Sequence, residues 1–163
     1  MNFLAHLLLG SASAEQALGS MLGDFVKGPV HQLDLPDAVR EGVWLHRRID
    51  SYTDAHPLVL QSKARISGER RRFAGILVDM FYDHLLARHW ARFTDRQLDE
   101  FSQDVYRQLR AQRALMPERA WTVVSYMSEQ DWLGSYAELR HLHRAVDNMA
   151  RRFRRETALP GGV

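Results

Sequence analysis

Apolar residues recur along this chain at the three- and four-residue steps of a helix face and do not settle into strand alternation. Hairpin pairs of the Asn-Gly or Asp-Gly type are also missing, so the pattern predicts an all-α fold. The first helix is expected over residues 2–9 and the second over 15–26, halted by Gly28-Pro29. A loop rich in turn formers, 27–36, precedes a helix from Asp37 toward Thr53, which His56-Pro57 terminates. A short helix over 58–66 and the run Glu69-Arg70-Arg71-Arg72 lead to a central helix over 76–90. Thr94 and Gln97 have capping-box spacing for a helix toward Arg113. Pro117 suits the first position of a helix reaching Met127. A further start is expected at 128–131, then a long amphipathic helix over 136–155 with Leu139, Leu142, Val146 and Met149 on one side. Pro160-Gly161-Gly162 is a stop, and no internal repeat or long heptad pattern is present.

The central helix organises the rest. Ile76, Leu77, Val78, Met80, Phe81, Leu85, Leu86 and Trp90 make it apolar nearly all round, which predicts a buried helix. Asp79 and Asp83 nevertheless sit four residues apart on one stripe, with His84 and His89 flanking it. An unpaired charge in an apolar interior costs on the order of several kcal/mol. These acids must therefore be protonated, paired with arginine or bound to a metal. In the second helix, Gly19 and Gly23 give up about 1 kcal/mol each of helix propensity relative to alanine, a sacrifice that lets another helix approach closely.

Composition narrows the classes. The 163 residues, 45% of them hydrophobic, fit one domain with a sizeable core. Charge is nearly balanced, 22 basic against 20 acidic residues, and is not concentrated as in nucleic-acid binders. The lack of cysteine excludes disulfides, thiolate metal sites and cysteine nucleophiles. Phe3 to Leu9 followed by Ser11-Ala12-Ser13-Ala14 mimics a signal peptide, but no Lys or Arg precedes the run and His6 interrupts it. It is also far short of the ~20 residues that span a bilayer. The expectation is a soluble cytoplasmic protein with neither nucleic acid nor membrane as a partner.

Three places put acids and histidines where apolar side chains belong. His46 and Asp50 share a helix face, Asp79 and Asp83 repeat that spacing, and His6 and Asp24 stand out in the two N-terminal helices. Each alone suits a core histidine or a helix cap. Together, imidazole and carboxylate suit Mn, Mg, Fe or Zn, and facing helices can converge such pairs on one ion. The zincin, Walker and carboxylate di-iron patterns are absent. Metal-assisted hydrolysis at phosphorus needs no covalent nucleophile and is the most economical chemistry for this set. Arg47 and Arg48 could contact a phosphate, whereas Arg70, Arg71, Arg72, Arg151, Arg152, Arg154 and Arg155 read as a solvated surface or a cationic face for an acidic partner.

Four linked segments carry a family resemblance. Asn2-Phe3-Leu4-Ala5-His6, Gly23-Asp24-Phe25-Val26-Lys27-Gly28, His46-Arg47-Arg48-Ile49-Asp50 with Thr53-Asp54, and Asp79-Met80-Phe81-Tyr82-Asp83-His84-Leu85 with Arg88-His89-Trp90 resemble, in order and spacing, the acyl carrier protein phosphodiesterase family. The resemblance implies a compact single-domain helical bundle distantly similar to the HD-type metal phosphohydrolases. It implies hydrolysis of the 4′-phosphopantetheine arm from the serine of holo acyl carrier protein, an acidic protein, with manganese as the metal and Mg2+ or another divalent ion as a substitute. The expected metal shell is Asp24, His46, Asp79 and Asp83, with His6, Asp50 and His84 as alternatives, and Arg47 or Arg48 offsetting phosphate charge. A nucleotide phosphohydrolase and a non-catalytic module binding an acidic protein are the competing readings. The His-Asp doublet of the HD group appears only in reverse, as Asp83-His84. Members of the family usually continue into a further C-terminal helix, whose loss would leave an apolar face and favour self-association.

Overall fold

The computed structural model describes residues 2–140. Among the described residues the fold consists of eight α-helices and four short 3-10 segments, with no strand. No helix among them is long and apolar enough to cross a membrane.

A close-packed pair lies at the centre: α2 (Ala14–Leu22) against α3 (Asp37–Ala55). A Cβ on Gly19 would stand 2.1 Å from the Val39 carbonyl oxygen, and one on Gly42 would stand 2.4 Å from that of Gln16. Only glycine permits this backbone approach, and Leu18, Met21, Leu22, Val39 and Val43 fill the surrounding core. The sequence places the end of α2 at Val26, but it closes at Leu22, because Gly23 and Asp24 enter a turn held by Phe25 N–H and Val26 N–H on the Leu22 carbonyl. Asp24 is thereby released from the helix toward solvent.

The short α1 (Phe3–Leu9) packs on α2 and on α5 (Ala74–Arg88), while α4 (Pro57–Ala64) lies against α3 and α5. Pro57 takes the first position of α4, and His56 caps it by accepting the Leu58 N–H at Nδ1. Also packed on α2 is α6 (Leu98–Ala111), against which α7 (Glu118–Glu129) and α8 (Trp132–Ser135) lie.

Several expectations change. The capping box fails: Thr94 Oγ1 takes the Arg96 N–H, Gln97 becomes the N-cap without a side-chain bond, and α6 starts at Leu98. Pro117 is the N-cap of α7 rather than its first residue. The central helix runs two residues earlier than predicted at both ends, and Trp90 belongs to a 3-10 turn, its indole N–H on the Arg96 carbonyl at 2.7 Å. Nor is α5 buried on all sides. Val78, Asp83, His84 and Ala87 face inward, whereas Ile76, Phe81 and Leu85 are exposed. Residues 136–138 turn before helical structure begins at Leu139, three residues later than predicted, and residues 141–155 of that predicted element, with Arg151, Arg152, Arg154 and Arg155, lie outside the described residues.

Candidate active site

The apposition of α2 and α3 also fixes the first functional side chain. The His46 ring lies directly on Gly23, where a Cβ would come within 2.2 Å of its Cγ. Its Nδ1 meets the Ser20 carbonyl oxygen at 2.8 Å. With Nδ1 so occupied, Nε2 points to Asp24 Oδ1 at 3.3 Å and Asp50 Oδ2 at 3.2 Å. A histidine whose one nitrogen donates to a backbone carbonyl presents the other, with its tautomer fixed, to whatever lies in front of it.

From α1, His6 stacks on His46 with ring centroids 3.7 Å apart. Its Nε2 makes an ion-pair contact with Asp50 Oδ1 at 3.0 Å, while its buried Nδ1 has no hydrogen-bond partner. A buried polar group without a partner is costly, and it requires a reason. Atoms of His6, His46 and Asp50 lie within 4.8 Å of one another, as the ligands of one ion would. These donors fit a hard or borderline divalent cation: two imidazole nitrogens, the bridging Asp50 and the more open Asp24.

Electrostatics agrees with that fit. Burial alone would lower the His46 pKa, but the bonds to Asp24 and Asp50, the Asp24 charge and the Ser20 carbonyl outweigh it and push it up to about 9. Burial works to raise the Asp50 pKa, yet His46 and His6 hold the carboxyl well below the usual carboxylate range. Without an ion, protonated imidazole supplies the positive charge that these carboxylates demand.

In front of the cluster opens a cleft of about 230 Å³ lined by Asn2, Asp24, Asp50, Asp54, Ile76, Asp79 and Met80. Asp79 thus reaches the same space from α5, and burial raises its pKa. Asp83 does not line it. That carboxylate is fully buried and accepts the Leu4 N–H at 2.7 Å and the Ala5 N–H at 3.1 Å, capping α1 from outside its own helix. Burial pushes the Asp83 pKa up to about 7 against those two bonds. His84 also turns away, with Nδ1 2.7 Å from the Tyr136 carbonyl oxygen.

Neither predicted phosphate ligand lines the cleft. Arg47 donates to the carbonyls of Gly28 and Val26, at 2.7 and 3.2 Å, and ties down the loop after α2. Arg48 lies over the exposed Trp44 ring, 5.6 Å from its centroid. The residue that spacing should have revealed is Asp54, one further helical step along the stripe of His46 and Asp50.

Comparison with known proteins places the chain in a family. Residues 1–163 match the family described as acyl carrier protein phosphodiesterase. The chain belongs to that family. It is 39% identical over 163 residues to an acyl carrier protein phosphodiesterase of Serratia proteamaculans, which covers 99% of this chain and 83% of the relative. It is 36% identical over 162 residues to the protein of that name from Yersinia pestis, with the same coverage. An Escherichia coli relative of that name is 35% identical over 160 residues, covering 98% and 82%. No solved structure matches the chain significantly. It is therefore a member of an enzyme family, and His6, Asp24, His46, Asp50 and Asp79 all fall in the four segments that carry the resemblance.

Proposed function

We propose that this protein is a divalent-metal-dependent phosphodiesterase that hydrolyses the bond between 4′-phosphopantetheine and the serine of holo acyl carrier protein, with manganese as the ion. The observation that carries the reading is the convergence of His6, His46 and Asp50 beside Asp24 at an acid-lined cleft, in a chain of this family. His46 and His6 through Nε2, with Asp50 and Asp24, would hold the ion.

Bound there, a divalent ion lowers the pKa of water and offsets charge on phosphoryl oxygens. The protein's own groups do the rest. Ser20 keeps a proton on His46 Nδ1, so Nε2 stays directed at the cleft. Asp79, whose burial favours the protonated form, supplies the proton that the serine oxygen takes up as its bond to phosphorus breaks. Water provides the oxygen that replaces it; of its two protons one restores Asp79 and the other passes to solvent. Asp83 acts at one remove, by holding the α1 turn that carries His6.

Intact-mass spectrometry of holo acyl carrier protein incubated with this protein, in manganese and in chelator, tests the reading. Manganese-dependent loss of the phosphopantetheine mass is expected. No loss with folded, manganese-supplied protein would overturn it.

A further inference from the structure

Four carboxylates line the cleft: Asp24, Asp50, Asp54 and Asp79. The ion that Asp24 and Asp50 would hold offsets part of this charge, but a phosphodiester brings a negative charge of its own to a wall that stays acidic. The two arginines whose position in the sequence suggested a phosphate contact are engaged elsewhere, Arg47 on loop carbonyls and Arg48 on Trp44. A different cation pairs with one of the four wall carboxylates.

Lys63 comes from the last turn of α4. Its side chain is only 25% exposed, and Nζ lies 2.7 Å from Oδ1 of Asp54. Its Cε passes over Gly75, in the first turn of α5, 3.9 Å from where a Cβ would stand. The aliphatic stem is thus covered between α4 and α5 while the ammonium pairs with Asp54 at the edge of the cleft, the division that long cationic side chains favour. The same charge acts on Asp79 on the α5 wall, where it opposes the effect of burial. An isolated surface ion pair would be worth only about 0–1 kcal/mol, so stability gives little reason for a lysine here. A lysine ammonium has three donors that turn freely and can hold a carboxylate and a phosphoryl oxygen together.

We propose that Lys63 is the phosphate-contacting cation of this cleft, its ammonium held beforehand by Asp54 and donating to a non-bridging phosphoryl oxygen of the substrate. Lys63 forms no covalent bond and transfers no proton. Its contribution is charge and position. The inference rests on the phosphodiesterase reading and assigns to α4 the role that the sequence suggested for Arg47 and Arg48.

The test compares wild type, Lys63→Met, Lys63→Arg and Arg48→Gln, each assayed on holo acyl carrier protein with saturating manganese. Manganese affinity is measured by calorimetry and Tm by thermal unfolding. A hydrogen bond to a charged group is worth enough that kcat/KM should fall about ten- to a hundredfold in Lys63→Met, chiefly through KM. Lys63→Arg should recover most of that loss, and Arg48→Gln should match wild type. Manganese affinity in Lys63→Met should be equal to wild type or tighter, because Asp54 loses its counter-charge. Unchanged kcat/KM in Lys63→Met would overturn the assignment. So would a loss that tracks a fall in Tm or in manganese affinity, since a purely structural pair would behave that way. Failure of wild type itself to release phosphopantetheine would instead sink the parent reading.

Discussion

His6 and His46 lie face to face, their rings 3.7 Å apart and 10° from parallel, although one comes from α1 and the other from α3. Stacked in this way, the two rings present nitrogens to one small volume, as ligands of a single positive centre would. Asp50 touches both rings, Oδ1 near His6 and Oδ2 near His46. The carboxylates of Asp24 and Asp50 raise the His46 pKa, and an ion bound in front of them would take over as their counter-charge.

That exchange sets a pH dependence. The His46 pKa is raised from 6.5 to about 9 in the fold, so the folded protein binds this proton where the unfolded chain has lost it. The stabilisation is fully present below pH 6.5 and is lost as pH rises through about 9. With chelator, Tm should therefore fall across that window, and His46→Asn should flatten the fall. Manganese competes for the same nitrogen. Its affinity should rise with pH over the window, by up to about tenfold per unit, with release of a proton measurable in buffers of different ionisation enthalpy. A pH-independent manganese affinity would show that His46 is not a ligand.

Asp83 is expected to behave as a structural acid. In Asp83→Ala the Leu4 and Ala5 amides lose their shared acceptor, at about 1–3 kcal/mol for each donor left unsatisfied. Tm should fall by roughly 5 °C or more, and because α1 carries His6, manganese affinity should fall with it. Asp83→Asn keeps one acceptor and should be intermediate. Wild-type stability with abolished metal binding in Asp83→Ala would instead return this residue to the metal shell.

Much of this was legible in the sequence, and the failures have common causes. The i,i+4 step of His46 and Asp50 puts both on one face whatever surrounds the helix, so the pair was readable, and Asp54 continues the same stripe. Asp79 and Asp83 obey the same geometry with different fates. The helical period aligns them, but only the position of α1 decides that the upper carboxylate meets a cleft and the lower one meets two amides. The position of Arg47 is not legible in the sequence, because the loop carbonyls of Val26 and Gly28 engage its guanidinium and no local pattern announces them. Likewise, the apolar perimeter of α5 suggested burial on every side, yet Ile76 and Phe81 remain exposed.

The glycines of the α2–α3 contact should separate packing from function. Gly42→Ala drives a Cβ against the Gln16 carbonyl oxygen and the Gly19 backbone, which cannot yield without parting the helices, so loss of the fold is expected. Gly23→Ala meets a side chain instead. The added methyl would come within 2.2–2.6 Å of three His46 ring atoms, and the ring must leave Ser20 to make room. A cost of about 1–3 kcal/mol is expected, with circular dichroism still helical. Manganese affinity should drop more sharply than stability.

Asp24 offers the cleanest test of the metal shell, because it can be removed at little structural cost. It sits in a turn after α2 and its side chain is 57% exposed, the most open of the carboxylates around His46. Asp24→Ala should leave Tm in chelator within a few degrees of wild type. It removes one of the two carboxylates that raise the His46 pKa, so the pH window over which metal-free stability declines should move down. Turnover should be lost because the ion loses its most accessible oxygen ligand, and manganese affinity should weaken in parallel. Asp24→Asn keeps a neutral oxygen in place and should recover part of the affinity. Full turnover in Asp24→Ala would show that the ion, if bound at all, is held by His6, His46 and Asp50 alone, with Asp24 reduced to a counter-charge for His46.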